Sequence, residues 1–469
     1  MKKNVLSLAL LLTAMTAAAQ DDDMFCYVYD DATQTATVTY YKTADGSAKG
    51  GTYTGDVVIP AKAPNGYAVT TIGEDAFRNS NTMTSLTIPA TIDSIGSRPF
   101  ENCDAKLKKI TIEDSDKKLR CHIRDVYPLG IRPVFGTDVD VEEVYIGRTY
   151  SDYLERGWVE VAGQYTISVI YSNEYVKKVT LGNVYQEVPD GLCYGCKSLQ
   201  SISLPSKVKR VGKKAFSHCE SLANISLPSA VESIGEEAFY RCNVLKDITL
   251  PSSLQFIGGS AFAKCTELGP VFTIPASVDS IGASILDECP QLKRINIPYS
   301  NNPLKYTCPS QFTNSLRAAA IDTLYMDRYI DGAFSDNRTI KTLYVGPNVT
   351  AIKNETFSSC YNMTEVYSLN PVPPTCEGAS VFYSGTKSEG RLHVPTGSLG
   401  AYKAAFVWQD FFNIDEQDAA VMGIEVQKDG NSTVTASYTL GGQRTAGTQR
   451  GLLIQRMSDG SVRKVITNK

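Results

Sequence analysis

Histidine and tryptophan are scarce: the 469 residues hold three histidines and two tryptophans. His122, His218 and His393 stand at unrelated spacings, so no histidine pair has the separation of a metal site. No HExxH, GxSxG or phosphate-binding glycine loop occurs, and no GxGxxG stands in a strand-to-helix context. No catalytic constellation and no cofactor are implied, and the expectation is a protein that is not an enzyme. Basic excess is lacking too. Lys and Arg number 46 against 50 Asp and Glu, a net charge of −4, and no basic stripe is visible, which argues against a nucleic-acid partner. Beyond residue 19 no apolar run is long enough to span a bilayer.

The first 19 residues have the form of a secretory signal: Lys2-Lys3, an apolar run from Val5 to Leu12, and Ala17-Ala18-Ala19 before Gln20. Export is therefore expected. Twelve cysteines would ordinarily mean disulfides in that setting. Their placement points another way, because five share one place in an internal repeat.

That repeat fills residues 188–298. Prolines recur at Pro205, Pro228, Pro251, Pro275 and Pro298, and cysteines at Cys196, Cys219, Cys242, Cys265 and Cys289, every 23 residues with one step of 24. A fixed period of this length means a solenoid. Each unit opens with a run such as Leu199/Ile202/Leu204, Leu222/Ile225/Leu227, Leu245/Ile248/Leu250 or Leu292/Ile295/Ile297. These alternations predict strands with one buried face, each closed by the proline that follows. Next comes a Val-x-x-Ile-Gly corner, as at Val231/Ile234, and then Ala-Phe on a turn or half-turn of helix. Phe216, Phe239 and Phe262 are the expected core fillers. Equivalent cysteines stack at roughly 4.8 Å with parallel Cβ vectors, poor geometry for bridges, so a column of buried thiols is favoured over disulfides.

The strings LPSKVKRVGKKAFSHCESLANIS and LPSAVESIGEEAFYRCNVLKDIT resemble the BspA-like leucine-rich repeat family of bacterial surface and secreted proteins. Degenerate copies extend the resemblance over residues 57–367. It implies a leucine-rich-repeat solenoid, β-rich with short helical or 3-10 turns, of about 14 rungs of ~23 residues. Residues 20–56, with strands at Phe25–Tyr29 and Thr35–Tyr41, are expected to form an N-terminal β cap. Residues 368–416 carry Val394-Pro395-x-Gly397, Tyr402-Lys403, Trp408 and Phe411, a pattern similar to the family's closing cap. Residues 421–469 have seven Lys or Arg against three acids and alternating runs. With Tyr438-Thr-Leu-Gly-Gly-Gln-Arg they resemble the small C-terminal β domain that addresses proteins to the type IX secretion system of Bacteroidota. The secretion machinery is thus an expected partner, and the expected location is extracellular or on the outer cell surface.

Two places are expected to carry specificity. Residues 113–175 lose the repeat, and the loop at 150–171 brings Trp158 and several tyrosines. On the strands, residues alternating with the buried ones face outward. They read as Ser, Thr and Asn in the middle and as Tyr325, Tyr344 and Tyr367 on successive C-terminal rungs. Such a row suits contacts to protein or sugar, or it merely stabilises the sheet. The family resemblance implies adhesion or protein–protein contact with host or neighbouring-cell proteins. Glycan capture and a structural spacer of the envelope are the alternatives.

Overall fold

In a computed structural model, the structure describes residues 25–42, 48–49, 53–96, 98–100, 103, 105–126, 130–132, 134–135, 139–154, 169–307, 316, 319–331, 334–417, 434–439, 444–445, 451–457 and 462–467. The signal segment and Trp158 lie outside them. The chain divides into two compact units, Met1–Ile248 and Thr249–Lys469.

In the first unit a hairpin of Cys26–Asp30 and Thr35–Thr39 turns where the Asp30 carboxylate accepts the Ala32 and Thr33 N–H groups. Its second strand pairs in parallel with Ala68–Ile72. From there parallel pairing dominates. Thr54–Val58, Thr82–Ile88, Lys106–Ile112, Asp140–Ile146, Lys178–Leu181 and Ser201–Ser203 lie side by side in chain order, one strand per rung. The Val-x-x-Ile-Gly segment does more than turn a corner. Glu187–Val188, Arg210–Val211 and Ser233–Ile234 pair in parallel as a second ladder. A Cβ on Gly212 or Gly235 would stand 2.6 Å from backbone nitrogen of the preceding rung, so these corners need glycine.

Two strand expectations fail. Leu222–Leu227 and Leu245–Leu250 carry no strand. Their outward positions hold Asn224, Ser226, Asp247 and Thr249. Of the turn or half-turn of helix expected at Ala-Phe, the structure has the turn. Lys214 and His218 have φ of 55° and 61°, and Glu237 and Arg241 repeat this at 54° and 58°. This alternation aims every second N–H at the following rung. The N–H groups of Lys214, Phe216 and His218 donate to the carbonyls of Glu236, Ala238 and Tyr240 at 2.9, 2.8 and 2.7 Å. In the second unit Ser260, Phe262 and Lys264 donate in the same way to Ala283, Ile285 and Asp287.

The cores are as apolar as the repeat requires. Phe216, Phe239 and Phe262 are fully buried, and Phe216 and Phe239 stack at 5.3 Å. Cys196, Cys219, Cys242, Cys265 and Cys289 are fully buried as well. Their thiols have a backbone task. Cys242 donates to the Phe216 carbonyl, Cys289 to that of Phe262 and Cys360 to that of Phe334, at 3.2–3.3 Å. Cys219 donates to the Cys193 carbonyl at 3.1 Å. Each thiol thus satisfies a buried carbonyl one rung earlier. Cys193, Cys196, Cys219, Cys242, Cys289, Cys360 and Cys376 are free thiols.

In the second unit seven strands form one parallel sheet: Val271–Thr273, Arg294–Ile297, Thr323–Met326, Thr342–Val345, Glu365–Ser368, Arg391–Pro395 and Asn413–Gln417. Beside it Phe382, Trp408 and Phe411 pack together, and the Trp408 indole N–H donates to the Pro374 carbonyl at 2.7 Å. The Tyr402 hydroxyl meets the Ser368 hydroxyl at 2.6 Å and donates to the Asn370 carbonyl. Val434–Thr439, Arg444–Thr445, Gly451–Met457 and Val462–Thr467 form a four-stranded antiparallel sheet.

Among the described residues, each unit buries an arginine that the repeat pattern does not reveal. Arg148 donates to the carbonyls of Pro89 and Ala90 at 3.0 and 3.2 Å. Arg328 donates to those of Pro275, Ala276 and Val278 at 3.3, 3.2 and 2.8 Å. In both cases the guanidinium reaches past an intervening strand, Lys106–Ile112 or Arg294–Ile297, to the turn two rungs back. The intervening rung is the one whose chain departs into an insertion. Arginine replaces the contacts that a regular rung would have supplied.

Candidate functional site

The outward face of the seven-stranded sheet carries the most distinctive surface chemistry. Alternation and register put Thr273, Asn296, Tyr325, Tyr344, Tyr367, His393 and Asp415 in one row. A neighbouring row holds Val271, Arg294, Thr323, Thr342, Glu365, Arg391 and Asn413.

The three predicted tyrosines do not share one environment. Tyr325 is only 7% exposed, and its hydroxyl bonds to the Asp327 carboxylate; burial, first, and that carboxylate push its ionisation up. Tyr344 and Tyr367 are half-buried and stack at 4.6 Å with 13° between the rings. Burial raises both phenols above their ordinary value. Their stack continues into His393, 4.3 Å from the Tyr367 ring at 22°. The rings that meet solvent are therefore Tyr344 and Tyr367, held between the buried Tyr325 and the buried His393. His393 stood apart in the sequence because no repeat marks its strand. Counting the outward alternation of Arg391–Pro395 from Tyr367 would have found it.

Carboxylates flank His393. Its Nε2 lies 2.7 Å from Glu365 Oε2 and its Nδ1 2.5 Å from Asp415 Oδ1, with Gln417 Nε2 also 2.8 Å from Nδ1. The imidazole is buried while the two acids reach solvent. At the other end Arg294 donates from Nε to Asn296 Oδ1 at 2.7 Å, and Asn296 in turn meets Thr273 at 3.4 Å. Burial pulls the Arg294 guanidinium below its ordinary value.

A second aromatic run lies in the first unit. Tyr171 and Tyr194 stack at 4.8 Å, and His218 sits between Tyr194 and Tyr240 at 5.4 and 5.6 Å. His218 is half-buried between these rings; burial, and then Arg241, lower its pKa. Trp158, the remaining candidate, is outside the described residues. Among the described residues no group of three or more His, Cys, Asp or Glu could hold a metal ion. No helix among them is long and apolar enough to cross a membrane.

Parallel strands in stacked rungs, a second parallel ladder at the corners and a buried Phe-Cys column define a leucine-rich repeat protein. Residues 61–122, 186–319 and 270–385 match the BspA type leucine rich repeat region in six copies. The chain belongs to that family. No curated protein matches the chain. Among solved structures it is similar to a leucine-rich repeat protein from Bacteroides ovatus, at 18% identity and a TM-score of 0.45, over 85% of this chain and 100% of that one. A leucine rich cell surface protein from Faecalibacterium prausnitzii matches at 18% identity and a TM-score of 0.30, over 86% and 95% of the two chains. The pneumococcal vaccine antigen PcpA matches at 15% identity and 0.28, over 86% and 99%.

Proposed function

We propose that this is a secreted or cell-surface protein that binds other proteins, in an adhesive role toward host or neighbouring cells. The contact surface is the outward face of the sheet between Val271 and Gln417. One observation carries the choice of ligand class. Tyr344, Tyr367 and His393 cover one another's ring faces at 4.6 and 4.3 Å. Sugar rings pack on open aromatic faces, and here the faces within the stack are taken. What the row offers is ring edges, hydroxyls and flanking charges, the surface that protein interfaces use.

Export supports the same assignment. The N-terminal segment reads as a signal, and residues 421–469 are basic and carry a four-stranded antiparallel sheet, as a small secretion domain of the type IX pathway would. Binding is tested by surface plasmon resonance against purified extracellular-matrix proteins, with a glycan array in parallel. Retention of a matrix protein alone supports the proposal; retention of glycans alone replaces it; retention of neither favours a spacer role. Fractionation of cells expressing the chain without residues 421–469 tests export. Unchanged surface display of that truncated form would remove the sorting role.

A further inference from the structure

We infer that the outward face of the Val271–Gln417 sheet takes an extended segment of a partner protein laid across the strands, with an acidic side chain at Arg294 and a basic one at Glu365 and Asp415. The inference rests on the protein-binding function proposed above and specifies its partner.

The face is electrically lopsided. Arg294 has Val271 and Thr323 as its register neighbours, and no carboxylate pairs with it among the described residues. One of its terminal nitrogens is buried without a hydrogen-bond partner. A half-buried cation left in this state gains when a carboxylate arrives, because a charge-assisted bond forms where part of the desolvation cost is already met. At the opposite end the Glu365 and Asp415 carboxylates converge on His393. Arg391 stands between Glu365 and Asn413 in register. That end therefore sets two carboxylates against one arginine. Between the ends lie the edges of Tyr344 and Tyr367, without charge at neutral pH.

Spacing sets the length of the ligand. Arg294 and His393 are four strands apart in the sheet, roughly 19 Å at the inter-strand distance. An extended chain rises about 3.3 Å per residue, so the two complementary charges belong about six residues apart, with apolar or β-branched residues over the tyrosines. A segment crossing the strands uses side chains only and leaves the sheet edges untouched.

The test is selection of a displayed random 12-residue peptide library on the full chain and on variants. On the native protein, enriched peptides should carry an acid and a base about six positions apart, the acid enriched about fivefold, as an exposed ion pair allows. On Arg294→Glu the acid should give way to a basic residue; on Arg294→Gln the preference should vanish without reversing. Thermal unfolding of both variants checks that the fold persists. Enrichment that needs Tyr344 and Tyr367 but has no charge spacing overturns this inference and leaves the face as a binding surface. Enrichment unaffected by Tyr344→Ala/Tyr367→Ala removes the face as well. No enrichment on the native protein overturns the extended-segment ligand and leaves the matrix-protein measurement to decide the face.

Discussion

Replacing Arg328 by leucine should weaken the second unit at one definable place. The guanidinium donates to three carbonyls, those of Pro275, Ala276 and Val278. Charge-assisted bonds of this kind contribute about 1.5–3 kcal/mol each, so roughly 5–9 kcal/mol is lost, together with the pairing of three carbonyls at a buried turn. Something is regained. Burial brings the guanidinium down to about 10, a desolvation cost of about 3 kcal/mol that leucine does not bear. The expected net loss is about 2–6 kcal/mol, or roughly 1–3 M in a urea midpoint for the affected unit. Repeat proteins open in pieces, so the sharper assay is native-state hydrogen exchange. The amides of Val278, Asp279 and Gly282, bonded to Pro275, Gln255 and Ile257, should lose protection. Those of the Arg391–Pro395 strand should change far less. Arg328→Lys should fall between, since a point charge cannot span the turn as the fork does. Unchanged exchange at 278–282 in Arg328→Leu would refute the bridging role.

The buried thiols make stability fall in alkali. Burial raises Cys219, Cys242, Cys289 and Cys360, the last two to about 12. The unfolded thiols ionise near 8.5, so stability is full below that pH and lost as pH rises toward the folded values, by about 1.4 kcal/mol per unit per thiol. Urea titrations from pH 7 to 10 should show this slope, reduced in Cys289→Ala; a flat profile would contradict the burial. A thiol-specific reagent should label none of the column in the folded protein and all of it after unfolding. Gly195 has φ of +72° and a Cβ there would stand 2.9 Å from Ser172 Oγ. Gly195→Ala should therefore cost about 1–2 kcal/mol in a thermal or urea scan, whereas the same change at Gly400, which has open space and no positive φ, should cost little.

The repeat was legible in the sequence because its chemistry is local. A 23-residue period fixes proline, glycine, phenylalanine and cysteine where strand end, corner and core require them. Interruptions of the period were legible too, but the devices that hold them were not. Arg148 and Arg328 act on carbonyls 58–59 and 50–53 residues away, and no spacing in the chain announces this. The same holds for the surface. Tyr344 and Tyr367 were visible because they share a register position, while the burial of Tyr325 and its bond to Asp327 just beyond its strand were not. His393 joins the row only through pairing of the Arg391–Pro395 strand with Glu365–Ser368, outside the consensus. The missing strands at Leu222–Leu227 and Leu245–Leu250 show the converse. Apolar alternation was present there, yet the backbone at these two rungs carries no strand.

The most direct test of the binding face is the affinity of the full chain for a matrix protein identified by surface plasmon resonance, measured beside Tyr344→Ala/Tyr367→Ala. With both variants equally folded by circular dichroism, loss of the two tyrosines should weaken binding about tenfold or more, as aromatic anchors at interfaces do. Equal affinity of the native and doubly substituted chains would contradict a binding function for this face.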